Sequence, residues 1–158
     1  MSVRADAETL RQIPIFRDCE PVHLQLLAFA SERQQFILGE ALVKQGMKAQ
    51  SAFLILNGNV DLFTNGPKGA EAIGVAHPGA LIGEVAMIGS TQYSLSAIAK
   101  ESVATARIDH ALFNRVANEY PEFGRTVFRV LAERLNASMI DLDGIRNLIT
   151  RGHSYLNR

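Results

Sequence analysis

LIGEVAMIGSTQYSLSAIAK, residues Leu81 to Lys100, carries the most informative pattern of glycines and small polar residues in the chain. Gly83-Glu84-Val85-Ala86-Met87 reads as a tight turn running into a single helical turn. Glycine lets the backbone come close to a ligand, and the free amides of a helix start attract an anion. A carboxylate at the second position does not suit phosphate, so Glu84 points to a different partner, such as a sugar hydroxyl. Ser94 and Ser96 follow at the spacing of residues on one face of a strand.

Working outward, short apolar runs alternate with turn clusters from about Gln34 to Ile108. Val60-Asp61-Leu62-Phe63 and Ala72-Ile73-Gly74-Val75 flank Thr64-Asn65-Gly66-Pro67-Lys68-Gly69, which reads as a hairpin loop. Glycines at near-regular spacing mark the corners of an antiparallel roll. The segment before it reads as helical: a short helix beginning near Glu8 is interrupted by Pro14. A second helix opens at Asp18-Cys19-Glu20-Pro21 and carries a buried stripe of Leu24, Leu26, Leu27, Phe29 and Ala30. After the roll, Asp109 is placed to cap a helix over His110–Phe113, and Pro121 starts a longer one. The expected class is α+β, mainly β: a jelly-roll-like β-roll flanked by N-terminal helices and a long C-terminal helix. We expect one domain over 1–158, with N-terminal helices at 1–33, the roll at 34–108 and C-terminal helices at 109–150.

The segment from Leu81 and the upstream FILGEALVKQGMKAQSAFLILNGNVDLF (Phe36 to Phe63) together resemble the cyclic nucleotide-binding domain of the catabolite activator protein and of protein kinase A regulatory subunits. The likeness covers roughly Leu10 to Leu148. It implies a pocket built from Gly83, Glu84, Val85, Ala86, Tyr93, Ser94 and Leu95, with Glu84 at the ribose 2′-hydroxyl. Asn136 and Ser138 would lie near the purine. The family carries arginine where this chain has Tyr93, and that arginine pairs with the cyclic phosphate. A tyrosine offers one neutral hydrogen bond and no charge. Three outcomes stay open: weak binding of a cyclic nucleotide (cAMP or cGMP), a less anionic ligand, or an empty pocket in a ligandless dimeric interaction module.

Composition narrows the remaining classes. Sixteen basic residues balance sixteen acidic ones, so no overall field favours nucleic acid or an anionic membrane. No run approaches eighteen apolar residues and no signal-peptide layout opens the chain, so a cytoplasmic protein without membrane contact is expected. A single cysteine, Cys19, excludes an internal disulfide and a multi-cysteine metal or iron–sulfur site within the chain. His23, His77, His110 and His153 are scattered without ligand spacing, and neither a Walker nor a Rossmann glycine pattern occurs. No enzyme, metal or resident cofactor is therefore expected.

In the last helix Phe128, Leu131, Leu135, Ser138, Leu142, Ile145 and Ile149 are spaced three and four apart, as in a heptad seam. A helix of about 28 residues would reach roughly 42 Å, more than a small roll can cover. A parallel homodimer through this helix is the expectation. The chain stops at Arg158 with no room for a helix-turn-helix, so it is not expected to bind DNA alone.

Overall fold

The computed structural model describes residues 3–87, 89 and 91–133. The chain runs through α1 (Val3–Arg11), a 3-10 turn (Pro14–Phe16) and α2 (Pro21–Ala30) into the strands. These are β1 (Glu32–Phe36), β2 (Ala41–Val43), β3 (Lys48–Ala49), β4 (Ser51–Asn57), β5 (Val60–Gly66), β6 (Gly69–Ala76) and β7 (Leu81–Ile82). A second 3-10 turn (Glu84–Met87) leads to β8 (Thr91–Gln92), β9 (Ser96–Ala99), β10 (Val103–Asp109) and α3 (His110–Glu119). Residues 121–133 are again helical. All pairings among these strands are antiparallel. They form sheets ordered β1-β10-β4-β7 and β2-β9-β5-β6, with β3 and β8 as a separate pair. This is the β-roll with flanking helices that the sequence implies.

β4 shows why its sequence is apolar without a break. Successive side chains of a strand point to opposite faces. Ala52 and Leu54 pack into a helical core with Leu10, Phe16, Leu24, Phe113 and Phe123. Phe53 and Ile55 face the roll interior with Phe36, Val43, Val60 and Ala97. β10 divides in the same way: Ala106 and Ile108 join the helical core while Val103 joins the roll. The two strands at the centre of one sheet thus form the wall between two cores. Asp109 ends β10 in an extended conformation and caps α3, its carboxylate accepting from the Leu112 amide at 2.7 Å.

Four local expectations are corrected. α1 begins at Val3 and ends at Arg11, so Glu8 lies inside it rather than at its start. The hairpin loop shrinks to Pro67-Lys68, because β5 and β6 keep pairing as far as Gly66 and Gly69. In α2 only Leu24 and Leu27 of the expected stripe are buried, together with His23 and Ala28. Val22, Leu26 and Phe29 fall on the opposite side of the helical period, leaving Phe29 76% exposed. A helix with apolar residues on more than one side does not reveal from its sequence which face it buries. In the last helix Phe123, Val127 and Leu131 pack inward, whereas Phe128 is 63% exposed. Leu135, Asn136, Ser138, Leu142, Ile145 and Ile149 lie outside the described residues.

Candidate ligand-binding site

The site is organised by Gly83, at the junction of β7 and the 3-10 turn. Its φ of +76° lies in the left-handed region, which glycine enters without steric cost. A Cβ at this position would stand 3.0 Å from Tyr93 Cε1 and 3.2 Å from the Ser51 carbonyl oxygen. The turn closes on itself, since the Ala86 amide donates to the Gly83 carbonyl at 2.9 Å. That amide is spent, which leaves a smaller backbone set for an anion than the sequence suggests. Ala86 and Met87 are buried beneath the turn, while Glu84 is half-buried and Val85 is largely exposed.

Tyr93 follows β8. Its hydroxyl donates to the Ser51 carbonyl at 2.7 Å and accepts from the Ser51 amide at 3.3 Å. A phenol has one proton to give, and here it goes to the protein backbone. The ring packs with Leu62, Ala80 and Leu95 against the roll core. It walls the cavity without filling it. Ser94 is exposed in a bend and does not share a strand with Ser96, because β9 starts only at Ser96. The Ser96 hydroxyl accepts from the Gln45 amide at 2.9 Å.

Between the turn and the β5–β6 hairpin lies a half-open cavity of about 520 Å³. Gly83, Glu84, Val85, Ala86, Tyr93, Ser94 and Leu95 all line it. The remaining wall is mainly apolar and includes Val43, Leu62, Val75, Ala76 and Ile82. Glu84 is the only charged side chain among the described lining residues, and no lysine or arginine joins it. Asn136 and Ser138 lie outside the described residues. Such a volume and mainly apolar lining fall in the range of small-molecule sites.

Ser51 and His110 are two residues that the sequence did not single out for the site. Ser51 is buried and offers its backbone to Tyr93, while its hydroxyl accepts from Arg107 Nε at 2.9 Å. His110 opens α3 and donates from Nδ1 to the Met87 carbonyl at 2.8 Å, so the turn is tied to the helix that follows the roll. Both contacts join segments far apart in the chain, and no local spacing announces them.

Residues 33–120 match the family model described as the cyclic nucleotide-binding domain. The chain belongs to the cyclic nucleotide-binding domain family. It is 25% identical over 131 residues to the cyclic AMP receptor protein of Thermus thermophilus, covering 82% of this chain and 61% of that protein. It is also 25% identical over 107 residues to the cAMP-dependent protein kinase regulatory subunit of Colletotrichum orbiculare, covering 68% of this chain and 27% of that one. The chain therefore spans less than two thirds of the length of either relative. Among solved structures, a cyclic nucleotide-binding-like protein from Brucella abortus superposes with a TM-score of 0.67 at 32% identity, covering 72% of this chain and 98% of its own. The domain's role is accordingly one of regulatory ligand binding. No helix among the described residues is long and apolar enough to cross a membrane.

Proposed function

We propose that this domain is a cytoplasmic regulatory sensor whose Gly83–Leu95 cavity takes a nucleoside-sized ligand and binds cAMP or cGMP only weakly. The observation that carries this reading is the open cavity of about 520 Å³ beside the Gly83–Ala86 turn, in a chain of this family. On the resemblance, Tyr93 stands where the phosphate would otherwise meet an arginine. A hydrogen bond to a charged group contributes about 1.5–3 kcal/mol, and each 1.4 kcal/mol is a factor of ten. Its loss weakens a cyclic nucleotide by roughly ten- to a hundred-fold or somewhat more.

The signal leaves the cavity through the turn. Met87 holds His110, His110 opens α3, and α3 leads into the helix at 121–133. A ligand that binds one arrangement of turn and helix better than another shifts the balance between them. The exposed Phe128 supports a partner on that last helix, which we assign to a second copy of the chain. The domain acts by binding alone, with no catalytic step and no DNA contact of its own.

Calorimetry with cAMP and cGMP on the wild type and on Tyr93→Arg tests the reading. Affinity should rise at least about ten-fold in the variant, and adding Glu84→Ala should remove much of the gain. A folded Tyr93→Arg protein that binds neither nucleotide would end the cyclic nucleotide reading.

A further inference from the structure

Where β3 meets the junction of β10 and α3 lies a separate half-open cavity of about 330 Å³, at the small end of the range for small-molecule sites. Among the described residues it shares only Ala49 with the Gly83–Leu95 cavity. Its charged lining residues are Lys48, Arg107 and Asp109. Arg107 donates from Nε to the Ser51 hydroxyl at 2.9 Å and from Nη1 to Glu32 at 3.3 Å. These contacts use only part of the guanidinium's fork of donors. Glu32 is 68% exposed and does not line the cavity, so its pull on Arg107 is screened by water. The Lys48 ammonium enters no ion pair with the described residues.

The acid on this wall is already employed. Asp109 accepts from the Leu112 amide at 2.7 Å, and the start of α3 offsets part of its charge. His110 is committed as well, donating from Nδ1 to the Met87 carbonyl and accepting at Nε2 from Asn114 at 2.9 Å. The balance of lysine and arginine against one capping carboxylate favours an oxyanion, and a guanidinium fork matches carboxylate and phosphate geometry. We infer that this cavity binds the carboxylate or phosphate group of a small ligand, with Arg107 and Lys48 as its charged partners and the Gln50 side-chain amide as a neutral one. The site is independent of the Gly83–Leu95 cavity in its contacts but not in its position. Arg107 shares Ser51 with Tyr93, while Asp109 and His110 make the joint into α3, so an occupant here bears on the same helix from another side.

Inorganic phosphate and succinate are the probes, titrated into the purified wild-type chain at fixed pH and ionic strength and followed by amide NMR spectra. Saturable shifts should centre on the amides of Lys48, Gln50, Arg107 and His110 with at least one probe, and the probe that saturates names the group the site takes. Lys48→Gln, a change at an exposed side chain, should weaken that binding by at least about three-fold. Lys68→Gln, in the loop between β5 and β6, should leave it unchanged. Shifts centred instead on the Gly83–Leu95 amides would overturn this site and leave the reading of the other cavity standing. No saturable shift with either probe, or equal affinity in the two lysine variants, would overturn it outright.

Discussion

Substituting Gly83 and Gly46 by alanine, each alone, separates the conformational demand of a turn from the contact that builds the pocket. Both glycines have left-handed backbones, with φ of +76° and +87°. An L-residue in that region costs roughly 1–2 kcal/mol. At Gly46 nothing lies within 4 Å of the added methyl, so Gly46→Ala should lose about 1–2 kcal/mol and no more. At Gly83 the methyl meets the Tyr93 ring at 3.0 Å and the Ser51 carbonyl at 3.2 Å. Neither neighbour can give easily. The ring is pinned by its hydroxyl to Ser51, and the carbonyl belongs to β4. Overpacking of this kind adds typically about 1–3 kcal/mol. Gly83→Ala should therefore be destabilised by about 2–5 kcal/mol, the excess over Gly46→Ala measuring the contact. Urea denaturation followed by circular dichroism, with equal slopes for the two variants, is the assay. Equal losses at the two positions would refute the placement of Tyr93 against Gly83.

Two further outcomes follow from other parts of the molecule. The exposed Phe128 and the seam beyond it should make the protein a dimer at roughly tens of micromolar in light scattering, and Leu142→Asp with Ile145→Asp should give a folded monomer; a monomeric wild type would end that assignment. Burial raises the Cys19 thiol from 9.0 to about 12, with Asp18 adding to the rise and Arg129 opposing it. The native thiol should thus resist iodoacetamide at pH 8–9 and react only on unfolding. Because the unfolded thiol ionises first, stability should fall as pH rises from about 9 towards 12. Rapid alkylation of folded protein at pH 8 would contradict this.

How much of this was legible in the sequence depended on whether the signal was local. The turn at Gly83, the helical turn after it and the Asp109 cap each lie within a few residues of their cause, and each stands where the sequence put it. The flanking helices and the antiparallel roll followed from the same glycine and proline punctuation. What could not be read were choices made by distant partners. Which side of α2 is buried depends on Phe113 and Phe123, about a hundred residues further on. Ser94 and Ser96 looked like strand neighbours because the pairing that starts β9 only at Ser96 comes from β2 and β5. The direction of the Tyr93 hydroxyl was set by a backbone segment 42 residues away, so the substitution was visible but its consequence was not.

The passage from β10 to α3 has no connecting loop. Asp109 is at once the last ladder residue, opposite Ser51, and the cap of the helix, while the His110 amide returns to the Gln50 carbonyl at 2.8 Å. A joint of this kind has no slack. A rotation of the strand is delivered to the helix as torque at its first turn, with no spring between them to absorb it. Strand and helix share Asp109 directly, so a single residue inserted after it would part the ladder from the cap and turn a fixed joint into a loose hinge.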